Sequence, residues 1–308
     1  MSMQMTYPVD LLLPDHRDQV GESPLWSPAE QALYWVDIEG RRLHRWTSAD
    51  QRVQSWDTAE RPACIALHAA GGLIAGMDTG VFHLQPAAGD EPFAAGLLAA
   101  TLLASVDHRQ PGMRFNDGRC DRQGRFWAGT MVRDMSLAKA AGNLHRMDAR
   151  QGLSGPQVAG LITPNGLGFS PDGKTMYLSD SHPAAQQIWQ LPMREDGSLG
   201  QRSLFVDMRE LPGRPDGAAV DAEGCYWICG NDAGMVHRFT PGGRLDRSIR
   251  VPVSKPSMCS FGGPGLDVLF ITSIRPAQPQ GDDVALGGAV FAMRPGVAGL
   301  PETPYRSA

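Results

Sequence analysis

Oxygen-bearing side chains recur at one place in a repeated, glycine-rich segment of this chain. Glu22 stands in GESPLW, Asn116 and Asp117 in FNDGRCD, Asn165 in PNGLGFS and Asp216 in PDGAAVD, while Cys64 and Met258 fill that place in PACIAL and PSMCSFGG. Carboxylate and amide oxygens gathered at one point suit a hard divalent cation such as Ca²⁺, Mg²⁺ or Mn²⁺. Without a cation, crowded carboxylates repel one another and their pKa values shift. The competing reading is structural: polar side chains at strand starts cap turns or hold channel water.

Repetition is what would bring these positions together. An apolar strand follows each segment after a polar turn: ALYWVD (32–37), GLIAGMD (72–78), RFWAGT (125–130), TMYLSD (175–180), CYWICG (225–230) and VLFITS (268–273). Their central residues, from Trp35 to Phe270, are 39 to 53 residues apart. A further strand follows each: RLHRW, GVFHL, NLHRM, QIWQL, MVHRF and AVFAM, apolar at the second and fifth places. Six units of about 51 residues, with no long helical period, read as propeller blades. The terminal copies are not polar caps, which argues against a stacked solenoid. The expected fold is all-β, a six-bladed β-propeller spanning residues 1–308 as a single domain, with residues before Gly21 supplying part of a closing blade. The innermost strand of each blade lines the central channel, and residues at its start meet at one mouth.

Composition narrows the partners. The 308 residues carry a formal net charge of −5 and form no basic footprint, which disfavours nucleic acid. Gly 36 and Pro 24 fit a fold rich in tight turns. Five scattered cysteines do not make a disulfide framework, and MSMQMTYPVD lacks a basic region followed by an apolar run, so a cytoplasmic protein is expected. The longest apolar stretch, Ala94 to Val106, is too short to span a bilayer and reads as a buried strand with its connection.

Several motifs invite other chemistries. GFSPDGKT (168–175) satisfies the phosphate-loop pattern, but its Pro-Asp-Gly suits a hairpin and a strand follows where that motif needs a helix. Ser136 and Lys139 match S-x-x-K without its companion motifs. Cys225 and Cys229 on one strand would lie about 13 Å apart and cannot share a zinc. His44, His145 and His237 hold equivalent second-strand-pair positions in three blades, which points to repeat-related packing. His182 stands at a strand end, either bordering the mouth or as loop polarity.

The stretches GESPLW (21–26), MRFNDGRCDRQGRFWAGTM (113–131), TPNGLGFSPDGKTMYLSDS (163–181), RPDGAAVDAEGCYW (214–227) and KPSMCSFGGPGLDVLFITS (255–273) resemble the SMP-30/gluconolactonase/LRE family across nearly the whole chain. That resemblance implies a six-bladed propeller hydrolysing sugar lactones with one divalent metal in its channel (Ca, Zn, Mn, Mg or Fe(II)). It implies metal ligation by Glu22, Asn165 and Asp216, and substrate contacts from Arg114 and Asn116. The family's acidic residue after AGTM falls on Asp134, where regucalcin-like members carry the longer Glu. The metal would polarise the lactone carbonyl and Asp216 would serve as general base for water. Two other functions use the same features: a metal-dependent esterase or phosphotriesterase, and a non-enzymatic binding platform with a structural metal. The sequence does not select among glucono-, galactono-, xylono- and arabinonolactones, nor an oligomeric state.

Overall fold

The computed structural model describes residues 7–86 and 96–307. Six separate small sheets follow one another along the chain. Blade 1 comprises Gly21–Ser27, Ala32–Asp37, Arg42–Thr47 and Val53–Asp57, each antiparallel to the next. Blades 2 to 5 repeat this meander from inner strands Cys64–Leu67, Met113–Cys120, Pro164–Phe169 and Arg214–Val220, with the outer edge of blade 3 split into Gly152–Leu153 and Val158–Leu161. Blade 6 builds outward from Pro256–Gly262 through Val268–Ser273 and Phe291–Met293. Its fourth strand is Val9–Leu11, pairing Val9 with Met293 and Leu11 with Phe291. The early segment therefore closes the ring as the outermost strand of the last blade. Each inner strand touches the inner strands of both neighbouring blades, from blade 1 round to blade 6 and back.

Blades adhere through large residues of the second strands. Trp127 packs with Leu167 and Phe169 of blade 4, and Trp227 packs edge-on against Phe261 of blade 6. Both indoles are fully buried, so their N–H groups need partners. Trp127 donates to Asp121 and Trp227 to Asp221, each at the end of its own inner strand. The same carboxylates bind Arg125 and Arg238, so the repeated Asp, Trp and Arg hold the inner turns of blades 3 and 5.

In five blades the inner strand carries one extra residue just after its start. The register against the second strand shifts between Glu22 and Leu25, Phe115 and Gly118, Asn165 and Gly168, Pro215 and Ala218, and Pro256 and Cys259. These are β-bulges, which bend the strand and re-aim side chains. The first bulge residue is Ser23 at φ 52° in blade 1 and Gly166 at φ 62° in blade 4. Blade 2 has no bulge; Cys64 pairs regularly with Gly76.

Small residues at the bulges let adjacent inner strands crowd together. A Cβ on Gly217 would lie 2.4 Å from Met258 Cβ and 2.8 Å from its Cα. Backbone cannot give way as a side-chain tip can, so Gly217→Ala is expected to destabilise by roughly 1–3 kcal/mol. Gly155→Ala, at a glycine with nothing within 4 Å, is the control. Denaturant midpoints of the two variants check this.

The phosphate-loop match is a hairpin: Gly173 N–H bonds Ser170 O between Pro164–Phe169 and Thr175–Asp180. The apolar stretch near residue 100 differs from expectation. Ala94 lies outside the described residues, and Ala100–Ser105 is the mostly exposed outer strand of blade 2, not a buried one. Only the inner strands of a blade are covered on both faces; the fourth strand lies at the rim. All five cysteines are free and buried. Among the described residues no helix is long and apolar enough to cross a membrane.

Candidate active site in the central channel

The bulges decide which side chains enter the channel. The last regular pair before the extra residue falls on Glu22 and Asn165 themselves in blades 1 and 4, but on Phe115 and Pro215, one residue before Asn116 and Asp216, in blades 3 and 5. Sequence reading had put Glu22, Asn165 and Asp216 at one equivalent position. The bulge moves by one residue between blades, but the equivalence holds: Glu22, Asn165 and Asp216 each stand four residues before Trp26, Phe169 and Val220, which pair with Leu33, Met176 and Tyr226. Met258 sits in the Asp117 place and packs against Gly217.

Two hydrogen-bond chains fix the donors. Arg114 Nη1 donates to Asn116 Oδ1 at 2.8 Å, Asn116 Nδ2 to Asn165 Oδ1 at 3.1 Å, and Asn165 Nδ2 to Ser181 Oγ at 2.9 Å. On the other side Asn231 Nδ2 donates to Asp216 Oδ2, and Arg214 reaches Asn231 Oδ1 at 3.4 Å. Ser181, Arg214 and Asn231 were not singled out from sequence. Asn231 lies one residue beyond the CYWICG strand core, and only the pairing of Arg214 with Asn231 turns it toward Asp216.

Three carboxyl groups face this space. Burial, then the carboxylates of Asp216 and Asp117, holds the Glu22 carboxyl well above the usual range, against the Ser23 N–H and Arg114. Burial raises Asp216 to about 7, with Arg214 and Asn231 working against the rise. Asp117 is also raised by burial; its Oδ2 accepts from Leu167 N–H at 2.7 Å, while its Oδ1 is buried with no hydrogen bond. Arg114 lies 9% exposed beside them. Burial weakens its hold on its proton, and the carboxylates of Glu39, Glu22 and Asp78 oppose that. Net negative charge, an orphaned carboxylate oxygen and all-oxygen donors fit a bound divalent cation. Glu22, Asn165 and Asp216 are the residues that could hold it.

Asp134 is placed apart. It caps the exposed turn Met135–Leu137, its carboxylate accepting from Ser136 N–H and Oγ. Among the described residues no hydrogen bond or ion pair joins it to Arg114, Asn116 or Asp216. The turn does approach blade 4, where His182 Nε2 lies 3.2 Å from Met135 O. His44, His145 and His237 are dispersed, each bonded through Nδ1 to a serine of its own blade: Ser55, Ser154 and Ser248.

A propeller whose channel is lined by buried acids, amides and an arginine is the class that fold and site define. The sequence profile described as SMP-30/gluconolactonase/LRE-like region matches residues 20–275, and the chain belongs to that family. It is 38% identical to 6-deoxy-6-sulfogluconolactonase of Pseudomonas putida over 92% of this chain and 94% of that one. It is 32% identical to L-arabinolactonase of Azospirillum brasilense, covering 94% of each. Among solved structures it is similar to a calcium-binding protein, regucalcin, from Agrobacterium tumefaciens, with a TM-score of 0.86, 27% identity and 98% coverage of both chains.

Proposed function

We propose that this chain, acting as one domain over residues 1–308, hydrolyses a sugar lactone to its aldonic acid with one divalent cation held by Glu22, Asn165 and Asp216. The observation that carries this is the cluster of three buried carboxyls, Glu22, Asp117 and Asp216, beside Asn165 and Arg114. The lactonase names of its relatives supply the substrate class. Such a cation polarises a carbonyl and lowers the pKa of water. Ca, Mg, Mn, Zn and Fe(II) are the candidate ions, and a cytoplasmic location accords with the five free cysteines.

The chain's own residues divide the remaining work. Asn231 holds Asp216 Oδ2, which fixes the carboxylate plane. Asp216 takes the proton from attacking water; it is 6% exposed, and that burial raises its pKa to about 7. Arg114, positioned by Phe115 O and Asn116 Oδ1, offers its remaining N–H groups to lactone oxygens. Asn116 orders both Arg114 and Asn165, and Asp134 is assigned to the mouth as a contact for outer hydroxyls. A second reading gives the base role to Asp117, whose Oδ1 has no hydrogen bond.

Chelator-treated protein assayed on sugar lactones and an aryl ester, before and after each cation is restored, tests the reading. Metal-dependent turnover of lactones well above that of the ester is expected. Preference for the ester would favour an esterase or phosphotriesterase, and no turnover would favour a binding platform. In the same assay Arg114→Ala is expected to keep metal content and to lose roughly 10²-fold on a polyhydroxylated lactone, but less on a plain aliphatic one. Equal losses on both would make Arg114 structural.

A further inference from the structure

The seam where the ring closes carries a second cluster, outside the channel. His16 and Asp18 lie on the link between the closing strand Val9–Leu11 and the blade 1 inner strand. His44 reaches them from the third strand of blade 1. We propose that His16, Asp18 and His44 bind a transition-metal ion with a taste for imidazole, Zn²⁺ being the fitting case, which fastens the closing segment to blade 1.

Each ligand atom is already aimed. His16 Nε2 lies 2.7 Å and His44 Nε2 3.2 Å from the same oxygen, Asp18 Oδ1. Ligands about 2 Å from one ion stand about 3 Å from each other, so these separations suit a shared metal. The opposite ends of two ligands are held: Asp18 Oδ2 accepts from Trp35 Nε1 at 2.9 Å, and His44 Nδ1 meets Ser55 Oγ at 2.7 Å. Such outer contacts set the tautomer and orientation of metal-bound imidazole. The imidazole planes of His16 and His44 stand at 80° with centroids 4.6 Å apart.

An independent sign is His44 Nε2. The side chain is 2% exposed, yet this nitrogen is buried and makes no hydrogen bond, despite its closeness to Asp18. In the equivalent His237 the same atom is taken by Pro212 O. Its polar neighbour, Asp18 Oδ1, is already bonded to His16, and a buried ring nitrogen left without a well-formed hydrogen bond costs free energy that an ion would offset. An adjoining cavity of about 300 Å³, lined also by the exposed Asp15, Arg42 and Asp57, offers a path for the ion and room for a water ligand. The other compact group of metal-type ligands among the described residues, Asp221, Glu223 and Cys225, lacks this feature. There Asp221 is consumed by Trp227, Arg238 and two backbone N–H groups.

Two nitrogens and one carboxylate select differently from the all-oxygen channel: imidazole suits Zn²⁺, Co²⁺ or Ni²⁺, whereas Ca²⁺ and Mg²⁺ prefer oxygen. The site would be fully formed only when Val9–Leu11 is docked, so the ion stabilises the closed ring by mass action.

The test uses full-length, chelator-treated Glu22→Gln/Asp216→Asn protein, in which the channel is disabled, with Zn²⁺ alone as titrant. One equivalent of Zn²⁺ is expected to bind and raise Tm, and Co²⁺ is expected to give visible absorption bands of a nitrogen-ligated ion. Adding His16→Asn, a substitution at a partly exposed residue, should weaken Zn²⁺ by at least about 100-fold, beyond the loss from an outer contact, and abolish the Tm rise. His16→Asn alone should leave lactone turnover unchanged. Absence of stoichiometric Zn²⁺ binding, or an affinity indifferent to His16→Asn, overturns the proposal. Where the channel variant does not fold, parent protein in millimolar Ca²⁺ is titrated against His16→Asn with the same two outcomes. The channel reading fails separately, through lactone turnover.

Discussion

Glu22→Gln is expected to reduce lactone turnover by roughly 10³-fold or more at limiting cation, because it removes a charged donor from the channel. The same variant, freed of metal, should be at least as stable as the parent. Burial first, and then Asp216 and Asp117 beside it, hold the Glu22 carboxyl well above the usual range, so ionising it in metal-free protein costs free energy. Removing one of several crowded acids relieves the others. Activity, metal content and Tm thus move in a pattern that general unfolding does not produce. Cation should raise the parent's Tm strongly and the variant's little. A Glu22→Gln protein that binds metal as tightly as the parent, or that is destabilised when metal-free, would remove Glu22 from the site.

Asp216→Asn should slow the chemical step by roughly 10²–10⁴-fold at matched metal occupancy, since the amide keeps an oxygen for a cation but takes no proton. Turnover near that of the parent would pass the base role to Asp117. A second signature lies in stability against pH. In the metal-free folded protein Asp216 keeps its proton up to about 7, against an ordinary value of 3.8. Between those values the folded state binds more protons than the unfolded state, so stability falls as pH rises. The penalty is absent below about pH 4 and complete above about pH 7, where it amounts to something on the order of 4 kcal/mol. Asp216→Asn removes it. The variant's advantage in metal-free urea unfolding should therefore be large at pH 8 and vanish near pH 4. The buried histidines His68, His145 and His237, whose pKa values are lowered by burial, act in the opposite direction near neutrality. They act equally in both proteins and cancel in the difference. An advantage independent of pH would mean that Asp216 is not the group holding the proton.

Sequence alone determined the six blades. Alternating strands and turns at spacings of 39 to 53 residues leave few other ways to bury the apolar faces. It also determined which polar residues head the inner strands, since Glu22, Asn116, Asp117, Asn165 and Asp216 interrupt otherwise small, apolar segments. Tertiary structure decided the rest. A single extra residue at each bulge shifts the face a side chain takes, and its presence depends on pairing with the second strand, not on local residue type. Asn231 acquires its partner only through that pairing, and Asp134, two residues beyond the second strand of blade 3, caps an exposed turn through its own Ser136. His16, Asp18 and His44 come together because the first described strand docks as the last strand of blade 6. Ring closure between distant ends of a chain leaves no periodic trace in sequence, so only the folded ring reveals what it assembles.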